Sequence, residues 1–269
     1  MLIILIVLVL LFNQHEPLKE VFQHTFEPKI IWILWFQGWD NPPWMIQKVK
    51  ESWIKHNPNY SIRLLSDENL HLYLPNLFSN FDNKQITLQA KSDIIRLSLL
   101  HEYGGIWADA TMLCMQSVDN WIDEMTLPSG IWMYTGYHGK GPASWFIVSQ
   151  KNSYIIDQWK KACDVFWNTN DNTDTYFWMD SLFFNLMKTN SKFDTLWGKV
   201  PRILCDDINQ AHTFFIDQIN AMDYNEDFIQ NIKMSPPFTI KLSRRFDNIE
   251  NFKRTNIYKV IEISLGTFE

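Results

Sequence analysis

The sequence predicts an α/β fold, a mostly parallel sheet flanked by helices. Three observations carry this. The first 75 residues alternate strand, helix, strand, helix. The leading strand is apolar throughout, as strands buried on both faces are. The longest helical stripe runs directly into a Gly-Gly turn and a further short apolar strand.

Taken in order, Lys29 to Phe36 reads as the first strand, rich in Ile and Trp, and Gln37 to Pro43 ends it with turn residues. Trp44 to His56 has helical spacing, with Ile46, Val49 and Trp53 on one face, and Asn57-Pro58-Asn59 stops it. Tyr60 to Leu65 reads as a second strand, after which Ser66-Asp67-Glu68-Asn69 opens another helix. Ile86 to Glu102 is the clearest helix, carrying Ala90, Ile94, Ile95, Leu97 and Leu99 on its apolar side. Gly104-Gly105 terminates it and Ile106-Trp107-Ala108 forms a short strand. Strands at Gly130–Tyr134 and Trp145–Ser149 follow, with helices at Ser153–Trp167 and Phe177–Lys188. Asn168 to Thr175 is a polar loop between those helices, and Lys241 to Arg254 is a basic segment. No internal repeat is visible.

At roughly 150 residues per domain, 269 residues make one large domain or two small ones. An apolar share of 46% excludes wholesale disorder. A net charge of −6 argues against a nucleic-acid partner, which would need a basic stripe to neutralise phosphates. Cys114, Cys163 and Cys205 are too few and too scattered for a disulfide scaffold or a Cys-rich zinc site. The 13 Trp exceed the needs of a core this size, which leaves packing, sugar stacking or both. Trp35, Trp39, Trp44, Trp145 and Trp178 are the five best placed to stack on a ring.

Residues 1–15 form a separate hydrophobic segment, Leu2 to Phe12 being unbrokenly apolar. Eleven helical residues rise about 17 Å, short of the roughly 30 Å hydrocarbon core. Three readings stand: an anchor dipping into one leaflet, the remnant of a longer signal anchor, or a buried helix. Membrane association is the favoured expectation, leaving residues 16–269 as a single domain.

Chemistry concentrates in one block. Asp93 and Arg96 lie three apart on a helix and so share a face. Asp109 follows the strand after the glycine pair, and in open α/β sheets ligands bind beyond the carboxyl ends of the strands. Singly, a surface ion pair and a turn cap would account for these residues. Together they describe a site for a charged, hydroxyl-rich ligand.

The block Ser92-Asp93-x-x-Arg96, Gly104-Gly105, Trp107, Asp109-Ala110-Thr111 resembles the signature of family-32 glycosyltransferases and the related capsular polysaccharide synthesis proteins. Pro28 to Gly38 resembles the family's first strand, and Ser52-Trp53 through Tyr60 the segment after it. Ser235-Pro236-Pro237 with Lys241-Leu242 is a weaker echo of a C-terminal motif. The resemblance spans about residues 27 to 245 and is most specific over 89–111.

It implies a GT-A-like, nucleotide-sugar-binding fold with a Rossmann-like central sheet. It also implies retaining transfer from a UDP- or GDP-sugar to a glycan or glycolipid acceptor. By position, Ser92, Asp93 and Arg96 would bind the donor sugar, and Trp35 and Gln37 would line the base pocket. Asp109 would meet the ribose and a diphosphate-bound metal, with Lys241 nearby. Asp180, opening a helix after the polar loop, is the candidate carboxylate beside the anomeric carbon; a plain first-turn acid is the alternative.

The chain departs from the pattern at Thr111, where the family usually has a second Asp. Mg²⁺ and Mn²⁺ prefer carboxylate oxygens to a neutral hydroxyl. Either the metal persists, weakened, on Asp109 and Thr111, or Lys241, Arg244 and Arg245 take over stabilisation of the diphosphate. The first is the expectation. Two rival functions stay open: a sugar- or nucleotide-binding pseudoenzyme, and a metal-dependent phosphoesterase using Asp109 with Asp206-Asp207. The membrane-associated domain would face the cytoplasm in a bacterium and a Golgi-type lumen in a eukaryote.

Overall fold

A computed structural model describes residues 25–81, 84–136, 141–205, 211–213, 223–243 and 253–268. The apolar run of residues 2–12, Asp206-Asp207 and the Arg244-Arg245 pair lie outside these. No helix among the described residues is long and apolar enough to cross a membrane.

The first strand, β1 (Ile30–Leu34), has four of its five residues buried. It runs parallel to β2 (Ser61–Leu65) on one side, with Ile30 opposite Ser61 and Leu34 opposite Leu65. On its other side it runs parallel to β3 (Gly105–Ala108), with Trp32 opposite Trp107. β3 pairs antiparallel with β6 (Pro142–Ser149), which pairs antiparallel with β5 (Ile131–Thr135). The order is β2-β1-β3-β6-β5, so β6 alone is reversed and the other four strands point one way. The mostly parallel sheet read from the sequence is what forms.

A second sheet, β4 (Met112–Cys114), β8 (Thr239–Lys241) and β7 (Ala211–Thr213), has the order β4-β8-β7. Its strands are three residues each. The residues between β3 and β4 therefore link the two sheets, and one hydrophobic core spans both.

Helices α1 (Trp44–His56) and α2 (Leu88–Glu102) form where expected. Thr87 caps α2 by accepting from the Ala90 N–H, which fixes its start. At its end the chain needs glycine. Gly105 has φ +97°, and a Cβ there would stand 2.6 Å from the Ile30 carbonyl oxygen. That close approach lets β3 leave the helix straight into its place beside β1.

Downstream come α3 (Ile122–Thr126), α4 (Tyr154–Thr169), α5 (Trp178–Thr189), α6 (Ser191–Trp197), α7 (Glu226–Met234) and α8 (Asn256–Leu265). One expectation fails: Ser66–Asn69 opens no α-helix, only a single 3₁₀ turn at Leu70–Leu72. The Asn69 amide accepts from Ser66 N–H and donates to the Leu64 carbonyl, both at 2.9 Å, curling the stretch back on itself. Pro75 then bars continuation.

Trp35, Trp39, Trp44 and Trp145 are half-buried and the other indoles are buried. Many act as cross-links. Trp32 donates to the Gly104 carbonyl at 2.9 Å, Trp53 to Met112 at 2.6 Å and Trp159 to Met179 at 3.0 Å, each joining two elements.

Candidate active site

Asp109 stands at the seam between the sheets. Its N–H donates to the Trp145 carbonyl of β6 at 3.0 Å, and its own carbonyl accepts from Met112 N–H at 2.8 Å. The resulting tight turn, Asp109-Ala110-Thr111, presents both polar side chains at the carboxyl end of β3. Carrying the β1–β3 register two residues beyond the Trp32–Trp107 pair sets Leu34 level with Asp109.

Three donors hold the Asp109 carboxylate. Oδ1 accepts from the Trp107 indole at 2.9 Å and from Arg96 Nη2 at 3.4 Å. Oδ2 accepts from Lys241 Nζ at 2.7 Å. Burial works to raise the pKa of Asp109, but Lys241 and Arg96 outweigh it and hold the carboxyl below its usual range. It is an anion.

Arg96 sits one helical turn after Asp93 on α2, and its side chain is only 7% exposed. Nη1 donates to the Ser144 carbonyl at 2.8 Å and to the Ser144 hydroxyl at 3.0 Å. Nη2 reaches Ser92 Oγ at 3.2 Å and Asp93 Oδ1 at 3.2 Å. The guanidinium lies 5.3 Å from the centre of the Trp107 ring. Its buried Nε finds no partner among the described residues.

Asp93 completes the pair, its Oδ2 accepting from the Trp178 indole of α5 at 3.0 Å. Burial pushes its pKa up to about 6; Arg96 opposes this and the Asp109 charge adds to it. Asp180, in the first turn of α5, is likewise pushed up to about 6 by burial and by the charge of Asp93.

Lys241 arrives from the second sheet. The β4–β8 ladder pairs it with Met112, and Leu242 N–H donates to the Thr111 carbonyl at 2.8 Å. Its ammonium therefore meets Asp109 Oδ2 and, at 2.9 Å, the Thr111 hydroxyl. The same ammonium lies 5.6 Å from the centre of the Trp145 ring.

Of the residues singled out in the sequence, Ser92, Asp93, Arg96, Asp109, Thr111 and Lys241 are thus joined by direct contacts. Asp180 joins them electrostatically. Trp35 and Gln37 lie just past the end of β1, half-buried and exposed, without a side-chain hydrogen bond to the cluster among the described residues. Trp178 is buried rather than at an open edge, so it serves Asp93 instead of stacking on a ring.

Three contributors escape sequence reading. Trp107 reads as core, yet it lies two residues before Asp109, which follows β3 directly, and strand alternation carried one residue past the strand would have put both side chains on the same face. Ser144 and the Trp178 N–H carry no local signal.

The family pattern also implies a divalent cation, and the donor set here does not fit one. Between Asp109 and Thr111, where a metal would be chelated, stands an ammonium already bonded to both. The second Asp109 oxygen is spent on Trp107 and Arg96. Among the described residues there is no cluster of three or more His, Cys, Asp or Glu side chains able to hold a metal.

Several known proteins are similar to this chain. A glycosyltransferase of Aspergillus fumigatus, afumC, is 27% identical over 157 residues, 51% of this chain and 40% of that protein. The initiation-specific alpha-1,6-mannosyltransferase of Saccharomyces cerevisiae is 27% identical over 126 residues, 41% of this chain and 26% of the relative. The chain thus spans less than half the length of these curated relatives. Among solved structures, the PaToxG glycosyltransferase is 15% identical with a TM-score of 0.44, covering 90% of this chain and 87% of its own. The glycosyltransferase GlyE of Streptococcus pneumoniae is 12% identical with a TM-score of 0.49, covering 89% and 61%. The profile of one family, described as capsular polysaccharide synthesis protein, matches residues 13–261, nearly the whole chain and every residue of the cluster. The resemblance to this family is borne out, and the chain belongs to the capsular polysaccharide synthesis protein family.

Proposed function

We propose that this protein is a glycosyltransferase that moves a sugar from a nucleotide-sugar donor to a glycan or glycolipid acceptor, with retention at the anomeric carbon. The observation that carries this is the Asp93–Arg96–Asp109–Lys241 cluster at the carboxyl end of β3, with Arg96 buried and the other three half-buried, in a chain of this family. Two fixed carboxylates suit sugar or ribose hydroxyls. Two cations suit oxygen-rich, anionic groups.

In the proposed reaction the bond from C1 to the diphosphate oxygen breaks and its electron pair stays on the diphosphate. The acceptor hydroxyl oxygen bonds C1 from the same face, and its proton passes to the departing diphosphate. Lys241 stabilises the negative charge that develops there, and charge stabilisation of this kind is the largest protein contribution to such steps. Asp180 lies beside the oxocarbenium-like carbon. Trp35 and Gln37 receive the base, of a UDP- or GDP-sugar, at the end of β1. Residues 1–15 hold this domain to a membrane surface.

A screen of UDP- and GDP-sugars by mass spectrometry, reading sugar release and transfer, tests the proposal. Turnover of at least one donor, lost in Arg96→Ala, is the expected result. Tight nucleoside-diphosphate binding with no turnover on any donor would favour a pseudoenzyme, the reading that Thr111 motivates. Phosphate-ester hydrolysis lost on Asp206→Ala would favour a phosphoesterase.

A further inference from the structure

A donor site of this kind needs a cation against the diphosphate, and this chain supplies one from its own backbone register. Asp109 and Thr111 occupy the two positions between which a divalent ion would be chelated. Lys241 Nζ stands between them at 2.7 and 2.9 Å. An ammonium has three N–H donors. Among the described residues two are engaged, which leaves the third for a phosphate oxygen.

Lys241 is held there rather than passing through. Its strand is locked to β4 by the Met112–Lys241 pairing, and the Leu242 N–H is bonded to the Thr111 carbonyl. The Met112 carbonyl in turn accepts from the buried Trp53 indole. The side chain is 11% exposed and lies against the face of Trp145.

Charge favours the same reading. With Thr in place of a second Asp, one carboxylate faces one ammonium and the pair is neutral. A divalent ion entering the same space would meet a fixed cation and a carboxylate already bonded to three donors, and it would have to displace Lys241 to bind.

We propose that the ammonium of Lys241 is the resident cation of the donor site, so that this chain binds and releases a nucleoside diphosphate without a divalent metal. This rests on reading the cluster as a nucleotide-sugar donor site.

The test uses the full chain with UDP and GDP as probes, titrated calorimetrically in excess EDTA and again in Mn²⁺. Whichever probe binds is expected to do so within about twofold in the two buffers, whereas Lys241→Ala weakens binding in EDTA by tenfold or more, about 1.4 kcal/mol. The double variant Thr111→Asp, Lys241→Ala restores a two-carboxylate chelate and is expected to bind the same probe only with Mn²⁺. Direct Mn²⁺ titration by electron paramagnetic resonance, without nucleotide, is expected to show no site in the wild type. A wild-type Mn²⁺ site that disappears in Asp109→Asn would overturn the proposal, as would wild-type probe binding that tightens more than tenfold with Mn²⁺. Should Lys241→Ala fail to fold by circular dichroism, Lys241→Arg keeps a cation there and must retain EDTA-resistant binding. If neither probe binds in either buffer, the donor-site reading falls, while the Mn²⁺ titration still decides whether Asp109 holds a metal.

Discussion

Asp93 should be a carboxylate that the fold carries at a cost, and the cost is measurable. Its pKa rises from 3.8 to about 6, chiefly through burial. An acid raised in the folded state binds protons more tightly there than in the unfolded chain. Its contribution to stability is therefore complete below pH 3.8 and lost as pH climbs through 6. At about 1.4 kcal/mol per pH unit, the displacement amounts to about 3 kcal/mol, of which about 2.5 falls between pH 4 and pH 8. Asp93→Asn removes the titration while keeping shape and a carbonyl for the Trp178 indole. Fixed costs, such as an amide facing Arg96, are the same at every pH and drop out of the comparison. Urea unfolding of both proteins at intervals from pH 4 to pH 8 should show the variant gaining on the wild type by about 2.5 kcal/mol. Relief of Asp180, whose pKa is raised partly by Asp93, adds in the same direction. Sugar transfer should fall at every pH. A stability difference that stays constant from pH 4 to pH 8 would refute the reasoning.

Three further outcomes follow from contacts already described. Arg96→Ala strips the cation shared by Asp93 and Asp109 and should cost about 3–5 kcal/mol of stability, read by thermal melting; Arg96→Lys should recover little, because Ser92, Ser144 and both carboxylates need the guanidinium fork. Gly105→Ala would put its Cβ 2.6 Å from the Ile30 carbonyl at φ +97°, so the β1–β3 pairing should loosen and unfolding shift by at least about 1–3 kcal/mol. Trp178→Phe keeps most of the packing but removes the N–H that favours the Asp93 anion, so the acidic limb of the pH–rate profile should move upward, and an unmoved limb would count against that bond.

The parts of the fold visible in the sequence are those with enough residues to show a period. α1 emerges with its expected ends because thirteen residues carry a full stripe and Pro58 lies just beyond. β1 emerges because a run of Ile and Trp fits a strand covered on both faces. Asp93 and Arg96 follow from helical spacing alone, and Asp109 from its place after β3. The second sheet leaves no such trace, since strands of three residues are too short for alternation to register. Lys241 enters through the resemblance, as one candidate cation beside Arg244 and Arg245, and only the β4–β8 register shows that its ammonium spans Asp109 and Thr111. The Ser66–Asn69 stretch misleads for a different reason: its residue types favour helix caps and tight turns alike, and the Asn69 side chain selects the turn.

The ion pair between Asp109 and Lys241 joins residues 132 positions apart. During synthesis Asp93, Arg96 and Asp109 leave the ribosome long before Lys241, and the small sheet cannot close until the last strand of its ladder arrives. Up to that moment the half-buried carboxylate of Asp109 has only Arg96 and an indole to balance it. Completion of the charge cluster is thus coupled to arrival of the C-terminal third of the chain. A chain cut short before β8 would keep Arg96 beside Asp93 and Asp109 but lose the second cation, the ammonium of Lys241. The pair thus ties the carboxyl end of β3 to a strand far along the chain.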